Sequence, residues 1–331
     1  MTFLVCGEAL YDVFVDAETD SGFALDARVG GSAFNVAIGL ARLGQPVAMV
    51  TGVATDALGQ KLARTLAAEG VDTTHLALKS AKTTLALVTL GGDGGARYAF
   101  YADGAADRLV KPEDLPALDD DIRGVLFGCF SLLTQPTGDS FLDYAKQARG
   151  GPLVTLDPNI RATVEPDMGR WRSRVEAFAA HADLIKVSLE DLALLYPGVS
   201  PAALARRWLT GGARLVVVTR GRQGASAWTD EINVEAAPPR AEVVDTVGAG
   251  DSFLAALVTA LAEAGLASRE GLTGLDAGPL GRAMQFAVQA AALTCEKRGA
   301  DLPMRAQLPE APKQPAAPAS GPDGAAHSSQ N

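Results

Sequence analysis

"DTVGAGDSF", residues 245–253, sets two carboxylates, Asp245 and Asp251, on either side of a Gly-Ala-Gly turn, and helical apolar spacing starts directly behind it. Gly248 and Gly250 let the backbone take unusual dihedrals and let a ligand come close. The first N–H groups of a helix from Ala249 have no internal partner. With the positive end of the helix dipole they make an anion pocket, and a phosphate fits it. Asp251 stands at the lip of that pocket, placed to face a nucleophile attacking the phosphate. A carboxylate at a helix start is a weak base, which is enough here: in phosphoryl transfer the transition state is loose and the acceptor hydroxyl loses its proton late. Read alone, the same aspartate serves equally well as a helix cap.

A second stretch shifts the balance. "GGSAFNVAIGLARLG" (30–44) is a Gly-Gly turn leading into a small-residue helix with Asn35 in its first turn. The glycines, Gly31 among them, permit close approach, and an amide side chain offers both donor and acceptor to a polyol. Upstream, "GEALYD" (7–12) puts Asp12 just past a buried strand, where a carboxylate can accept from two hydroxyls. Singly, Asp12 reads as a loop acid and Asn35 as a helix cap. Beside the phosphate turn they form a polyol site paired with a phosphate site.

Around these stretches, short apolar runs alternate with helical patterns. Strands are predicted at 3–7, 47–52, 124–130, 153–157, 183–188 and 214–219, with helices in "AFNVAIGLARLG", "ALGQKLARTLAAEG", "RSRVEAFAAHA", "PAALARRWLTGG", "AGDSFLAALVTALAEAG" and "LGRAMQFAVQAAALTCEK". Near-continuous apolar strands separated by helices predict an α/β fold with a mostly parallel sheet covered on both faces, its ligands at the carboxyl ends of the strands. Residues 11–29 and 83–104 break the rhythm with alternation and turn residues, and "LGGDGGARY" signals a hairpin. They form either a small separate sheet, a lid, or an extension of the main one. Residues 307–331 are rich in Pro, Ala, Ser and Gly, cannot bury enough surface to offset their ordering entropy, and are expected to be disordered.

Composition removes other classes. With 331 residues and a net charge of −10, the chain is too acidic to grip nucleic acid or an anionic membrane without regard to sequence. No apolar run is long enough to span a bilayer. "MTFLVCGEAL" lacks the basic flank of a signal peptide, so a cytoplasmic protein is expected. Cys6, Cys129 and Cys295 share no Cys-x-x-Cys spacing and read as buried, reduced thiols. There is no P-loop, no protein-kinase signature set and no G-x-S-x-G elbow. "CGEALYD" after the first strand lacks the G-x-G-x-x-G of a nicotinamide dehydrogenase.

Together, the Gly-Gly…Asn…Gly element and the Asp-Thr-x-Gly-Ala-Gly-Asp element resemble the two signatures of the ribokinase-like, or PfkB, carbohydrate kinases, in the right order, across residues 1–306. The resemblance implies a doubly wound sheet sandwiched by helices with a small β-sheet lid, moving the γ-phosphoryl of ATP, with Mg2+, to a sugar hydroxyl. It makes Asp251 the catalytic base and Gly248, Ala249 and Gly250 the anion hole, with Asp12, Gly31 and Asn35 on the sugar. It places the nucleotide along "VVVTRGRQGA" (216–225), through Thr219, Gly221 and Gly224, and at Ser188. Ser188-Leu189-Glu190-Asp191 stands in place of the family's Asn-x-x-Glu element, which is linked to magnesium and phosphates; its side chains reach less far. Asp245, with carbonyls near Val247, Thr294, Lys297 and Gly299, matches a monovalent-cation site that would take K+. Val288 falls where relatives often carry a polar residue near adenine, and Phe130 where ribokinases carry a sugar-binding glutamate, which argues against ribose. "GEALYD", "YAFYADGAAD" (98–107) and "DPNIR" (157–161) look most like the fructokinase branch, with Arg161 available to balance phosphate charge. Related 2-keto-3-deoxygluconate kinases share much of this wording; other sugar or nucleoside kinases and a non-catalytic sugar-binding relative are the remaining alternatives. Exposed lid strands in this family often pair, so a homodimer through the lid is expected.

Overall fold

β1 (Thr2–Cys6) shows why the strand runs carry no polar alternation: both of its faces are covered in the computed structural model, which describes residues 1–90 and 96–309. Phe3 and Val5 enter one apolar layer, Leu4 and Cys6 the other. The remaining strands of the main sheet are β4 (Val47–Ala54), β5 (Leu76–Lys79), β8 (Ile122–Gly128), β9 (Leu153–Asp157), β10 (Leu184–Ser188), β11 (Leu215–Thr219), β12 (Ala225–Trp228) and β13 (Asn233–Ala236). Their order is β13-β12-β11-β10-β9-β8-β1-β4-β5, parallel from β11 through β5 and antiparallel at the β12 and β13 edge. The chain winds outward from β1 in both directions. That makes the carboxyl end of β1 the switch point, where sheets of this kind hold ligands.

Helices α1 (Ser32–Arg42), α2 (Ala57–Ala68), α7 (Ala249–Glu263), α8 (Arg269–Leu272) and α9 (Ala277–Cys295) cover one face. Helices α3 (Thr137–Ala148), α4 (Met168–Ala179), α5 (Leu189–Leu195) and α6 (Pro201–Thr210) cover the other. α7 lies between α1 and α9 and is buried from Asp251 to Leu261, so its sequence is apolar nearly all round. Each large side chain fully removed from water there contributes about 1.5–3 kcal/mol.

The two excursions form a separate four-stranded sheet, which removes the alternative of an extended main sheet. β2 (Leu10–Thr19), β3 (Gly22–Gly30), β6 (Thr84–Leu90) and β7 (Ala96–Tyr101) are ordered β3-β2-β6-β7, with β2 and β6 parallel. The turn of the predicted hairpin, residues 91–95, and residues 310–331 of the tail lie outside the described residues.

Several expectations need correction. Leu308 is buried and Gln307 closes a short turn from Arg305, so packing continues past residue 306 because one leucine still finds apolar cover. Asp12 follows β1 and lies inside lid strand β2. Cys129 follows β8 and takes φ +55° at the start of a short 3-10 turn, and Cys295, the last residue of α9, is only half-buried. α3, α5, α8, β5, β12 and β13 were not anticipated; most span seven residues or fewer, too short for periodicity to register.

Candidate active site

Two glycine-led helix starts meet at the carboxyl ends of β1, β9 and β10. Gly248 caps α7 in the left-handed region at φ +79°, and no side chain caps that helix. A Cβ there would lie 2.7 Å from Ala300 Cβ, so both conformation and space demand glycine. Ala249 and Gly250 form the first turn. Gly31 begins α1 at φ +108°, where a Cβ would lie 2.9 Å from the Glu8 carbonyl oxygen. At Gly30, a Cβ would fall 2.6 Å from Asp12 Oδ2, so that glycine leaves room for the aspartate carboxylate reaching in from the lid.

The two sequence signatures touch directly. Asn35 Nδ2 donates to Asp251 Oδ2 at 2.8 Å across 216 positions of sequence, and Ser32 Oγ donates to Asp251 Oδ1 at 2.7 Å. The Ser32 N–H in turn donates to Glu8 Oε1 at 2.8 Å. Burial pushes the Asp12 carboxyl up to about 6; the neighbouring Asp251 charge adds to the effect and Arg161 opposes it. Burial also pushes Glu8 up to about 7, against the Ser32 N–H and the Arg161 charge. For Arg161 itself burial works against the cation, but the Asp251, Glu8 and Asp191 carboxyls outweigh it, so the guanidinium is held charged. These carboxyls and one arginine therefore answer to one another, as groups in a functional cleft do.

A buried cation stands beside the anion pocket. Strand period puts Lys186 and Asp157 on the α7 face, the face of Leu184 and Leu153, and Lys186 Nζ donates to Asp157 Oδ2 at 2.7 Å. A Cβ at Gly250 would lie 3.1 Å from Lys186 Nζ, which places the ammonium against the start of α7. Burial disfavours this ammonium, but Asp157, Asp251 and Asp191 more than compensate and keep it charged. Asp157 Oδ1 is buried without a hydrogen-bond partner among the described residues. An unsatisfied buried carboxylate oxygen is costly and marks a place for a ligand.

The remaining expected residues flank this centre. Ser188 ends β10 in register with Thr219 at the end of β11, and its Oγ accepts the Asp191 N–H, capping α5. Gly221 (φ +51°) and Gly224 (φ +81°) shape the turn into β12. A Cβ at Gly224 would overlap the Ala236 carbonyl at 2.0 Å, so that glycine has a packing reason of its own. Asp245 Oδ1 accepts from Val247 N at 3.1 Å and Oδ2 from Gly299 N at 2.8 Å, tying the loop before α7 to the segment after α9. The Thr294 carbonyl accepts the Lys297 N–H, and the Lys297 ammonium pairs with Asp301. Val288 is buried in the core.

Lys186, Asp157, Ser32, Asn159 and Glu8 belong to this centre, and sequence reasoning did not single them out for it. A lysine in an otherwise apolar strand and an acid closing another were the available signals. Ser32 carried none.

Comparison with known proteins gives the family. The family model described as pfkB family carbohydrate kinase matches residues 2–307. A fructokinase of Rhizobium leguminosarum bv. trifolii is 40% identical over 275 residues, 82% of this chain and 83% of the relative. A crystal structure of fructokinase with bound ATP from Xylella fastidiosa superposes with a TM-score of 0.82 at 28% identity, covering 90% of this chain and 93% of that one. Fructokinase from Vibrio cholerae O395, in a fructose-, ADP- and calcium-bound form, gives a TM-score of 0.76 at 25% identity over 90% of this chain and 94% of that one.

Proposed function

This chain belongs to the pfkB family of carbohydrate kinases, and from that premise we propose that it is an ATP-dependent fructokinase converting fructose to fructose 6-phosphate. The observation that carries the reading is the direct contact of Asn35 and Ser32 with Asp251, which joins a polyol-type cleft to an anion pocket. In this reading Asp12, Gly31 and Asn35 hold the sugar, and Asp251 accepts the proton of the attacking hydroxyl. The N–H groups of Gly248, Ala249 and Gly250 and the Lys186 ammonium stabilise charge on the phosphoryl group in flight. Thr219, Gly221, Gly224 and Ser188 border the nucleotide.

Among the described residues no cluster of three or more His, Cys, Asp or Glu could hold a metal. This suits Mg2+, which keeps waters and binds through one or two carboxylates plus substrate phosphates. Asp157, with its unpartnered Oδ1, and Asp191 would hold it. When bound it neutralises phosphate charge. K+ is assigned to the Asp245 loop, with the carbonyls of Val247, Thr294, Lys297 and Gly299; an identical rate in Na+ and K+ would remove it. Phe23, Leu25 and Tyr101 are well exposed on lid strands, which supports a homodimer through the lid, to be read by light scattering. Among the described residues no helix is long and apolar enough to cross a membrane, and a cytoplasmic location is part of the proposal.

The test is a coupled ADP-release assay against fructose, 2-keto-3-deoxygluconate, ribose and nucleosides. Fructose should give the highest kcat/KM; higher values for another acceptor would move the substrate assignment, and no turnover with any would remove the kinase reading.

A further inference from the structure

Ser32 is the first residue of α1, and both of its polar groups are committed. Its N–H is on Glu8 Oε1, which fixes the backbone. Its Oγ accepts from Asn159 Nδ2 at 2.7 Å, so its one proton goes to Asp251 Oδ1, also at 2.7 Å. Asn159 is held in its turn: its Oδ1 accepts from Arg161 Nη1 at 2.7 Å, and its backbone takes φ +40°, which few residues other than glycine adopt. Strained backbone of this kind persists where surrounding contacts over-determine it, and such positions gather at functional sites. A chain of three hydrogen bonds thus runs from Arg161 to the carboxylate of Asp251.

We propose that Ser32 is a positioning residue for phosphoryl transfer: its hydroxyl, oriented by Asn159, locks the Asp251 carboxylate in the rotamer that receives the acceptor hydroxyl. The inference rests on the sugar-kinase reading above. A carboxylate torsion is broad and roughly two-fold, so an aspartate at a helix start needs outside contacts to hold one direction. An ionised carboxylate has about four acceptor sites, of which Ser32 and Asn35 take two, leaving capacity for the sugar. The contacts aim the base without consuming it. The fold does not depend on the hydroxyl, because the Ser32 contact with Glu8 is made through backbone N–H and survives removal of the side chain.

Steady-state kinetics with fructose and MgATP on the full chain test this. Ser32→Ala should lower kcat about tenfold, with both KM values within about twofold, since only the aim of a bound reactant is lost. Ser32→Thr, which keeps a hydroxyl, should recover most of the rate. Asn159→Ala should also slow kcat, and the Ser32→Ala/Asn159→Ala pair should be no slower than the slower single variant, because both remove one lock. The inference is overturned by an unchanged kcat in Ser32→Ala, by a loss confined to KM, by Ser32→Thr as slow as Ser32→Ala, or by losses that multiply in the pair. An inactive Asp251→Asn beside a normal Ser32→Ala sinks this inference alone. An active Asp251→Asn sinks the base assignment beneath it.

Discussion

α1 and α7 begin alike and are finished differently. Each starts on a glycine at positive φ, and neither has a side-chain cap from its own first residue. At α1 the Glu8 carboxylate reaches in and takes the Ser32 N–H, so that helix start is satisfied from within the protein. At α7 the equivalent N–H, that of Ala249, goes to the Thr246 carbonyl at 3.2 Å, no side chain caps the helix, and the nearby charges are a buried ammonium and the aspartate that α1 holds in place. In the proposed function the two dipoles meet different groups, the Glu8 carboxyl at α1 and an incoming phosphate at α7. What separates the two starts is the side-chain acceptor, which Glu8 supplies at α1 and no side chain supplies at α7.

The contrast can be broken in four places. Asp251→Asn keeps the shape of the α7 start and removes its base; kcat should fall about 10²–10⁴-fold while ATP and sugar binding, measured by calorimetry, change little. Near wild-type turnover would return Asp251 to a capping role. Asp12→Ala, on the α1 side, should raise the fructose KM about tenfold or more with a smaller change in kcat, since the proposed, half-buried carboxylate partner of the sugar is lost. Because the Asp12 carboxyl is raised to about 6, its ionised fraction falls as pH drops through that value, so the wild-type fructose KM should climb below pH 6 and Asp12→Asn should lose that dependence.

Gly248→Ala forces a side chain into φ +79° and against Ala300, costing about 1–3 kcal/mol in denaturant melts. An unchanged midpoint would mean the turn has room to relax. The fourth place is the start of α1. Glu8 is raised from 4.5 to about 7, so the folded chain holds that proton more tightly than the unfolded one. Stability from this group is full below pH 4.5 and declines as pH rises to about 7. Glu8→Gln removes the decline, so its Tm relative to wild type should rise between pH 5 and pH 8; a constant difference would mean Glu8 titrates normally.

Much of this was legible because it is local. Glycines beside a helix start, an acid at its lip and an amide one turn into another helix are short-range chemistry, written within DTVGAGDSF and GGSAFNVA. The lid was legible as a break in rhythm, though whether it stood apart from the main sheet was not, since alternation is the same in either sheet. Asp12 was legible as an acid past β1 within the lid segment, but the gap that Gly30 leaves for its carboxylate was not, because it depends on how β2 and β3 pair.

By itself, the sequence determined the layered α/β class and the two glycine-led helix starts, consequences of periodicity and backbone freedom within short windows, and the family through the resemblance of its two signatures. Tertiary structure alone decided that Lys186 and Asp157 meet beside the α7 start, that Ser32 faces Asp251, and that the Glu8 side chain takes the first N–H of α1. Those facts depend on which strands neighbour one another and in what register. That is settled by packing across hundreds of residues and leaves no mark on the local pattern.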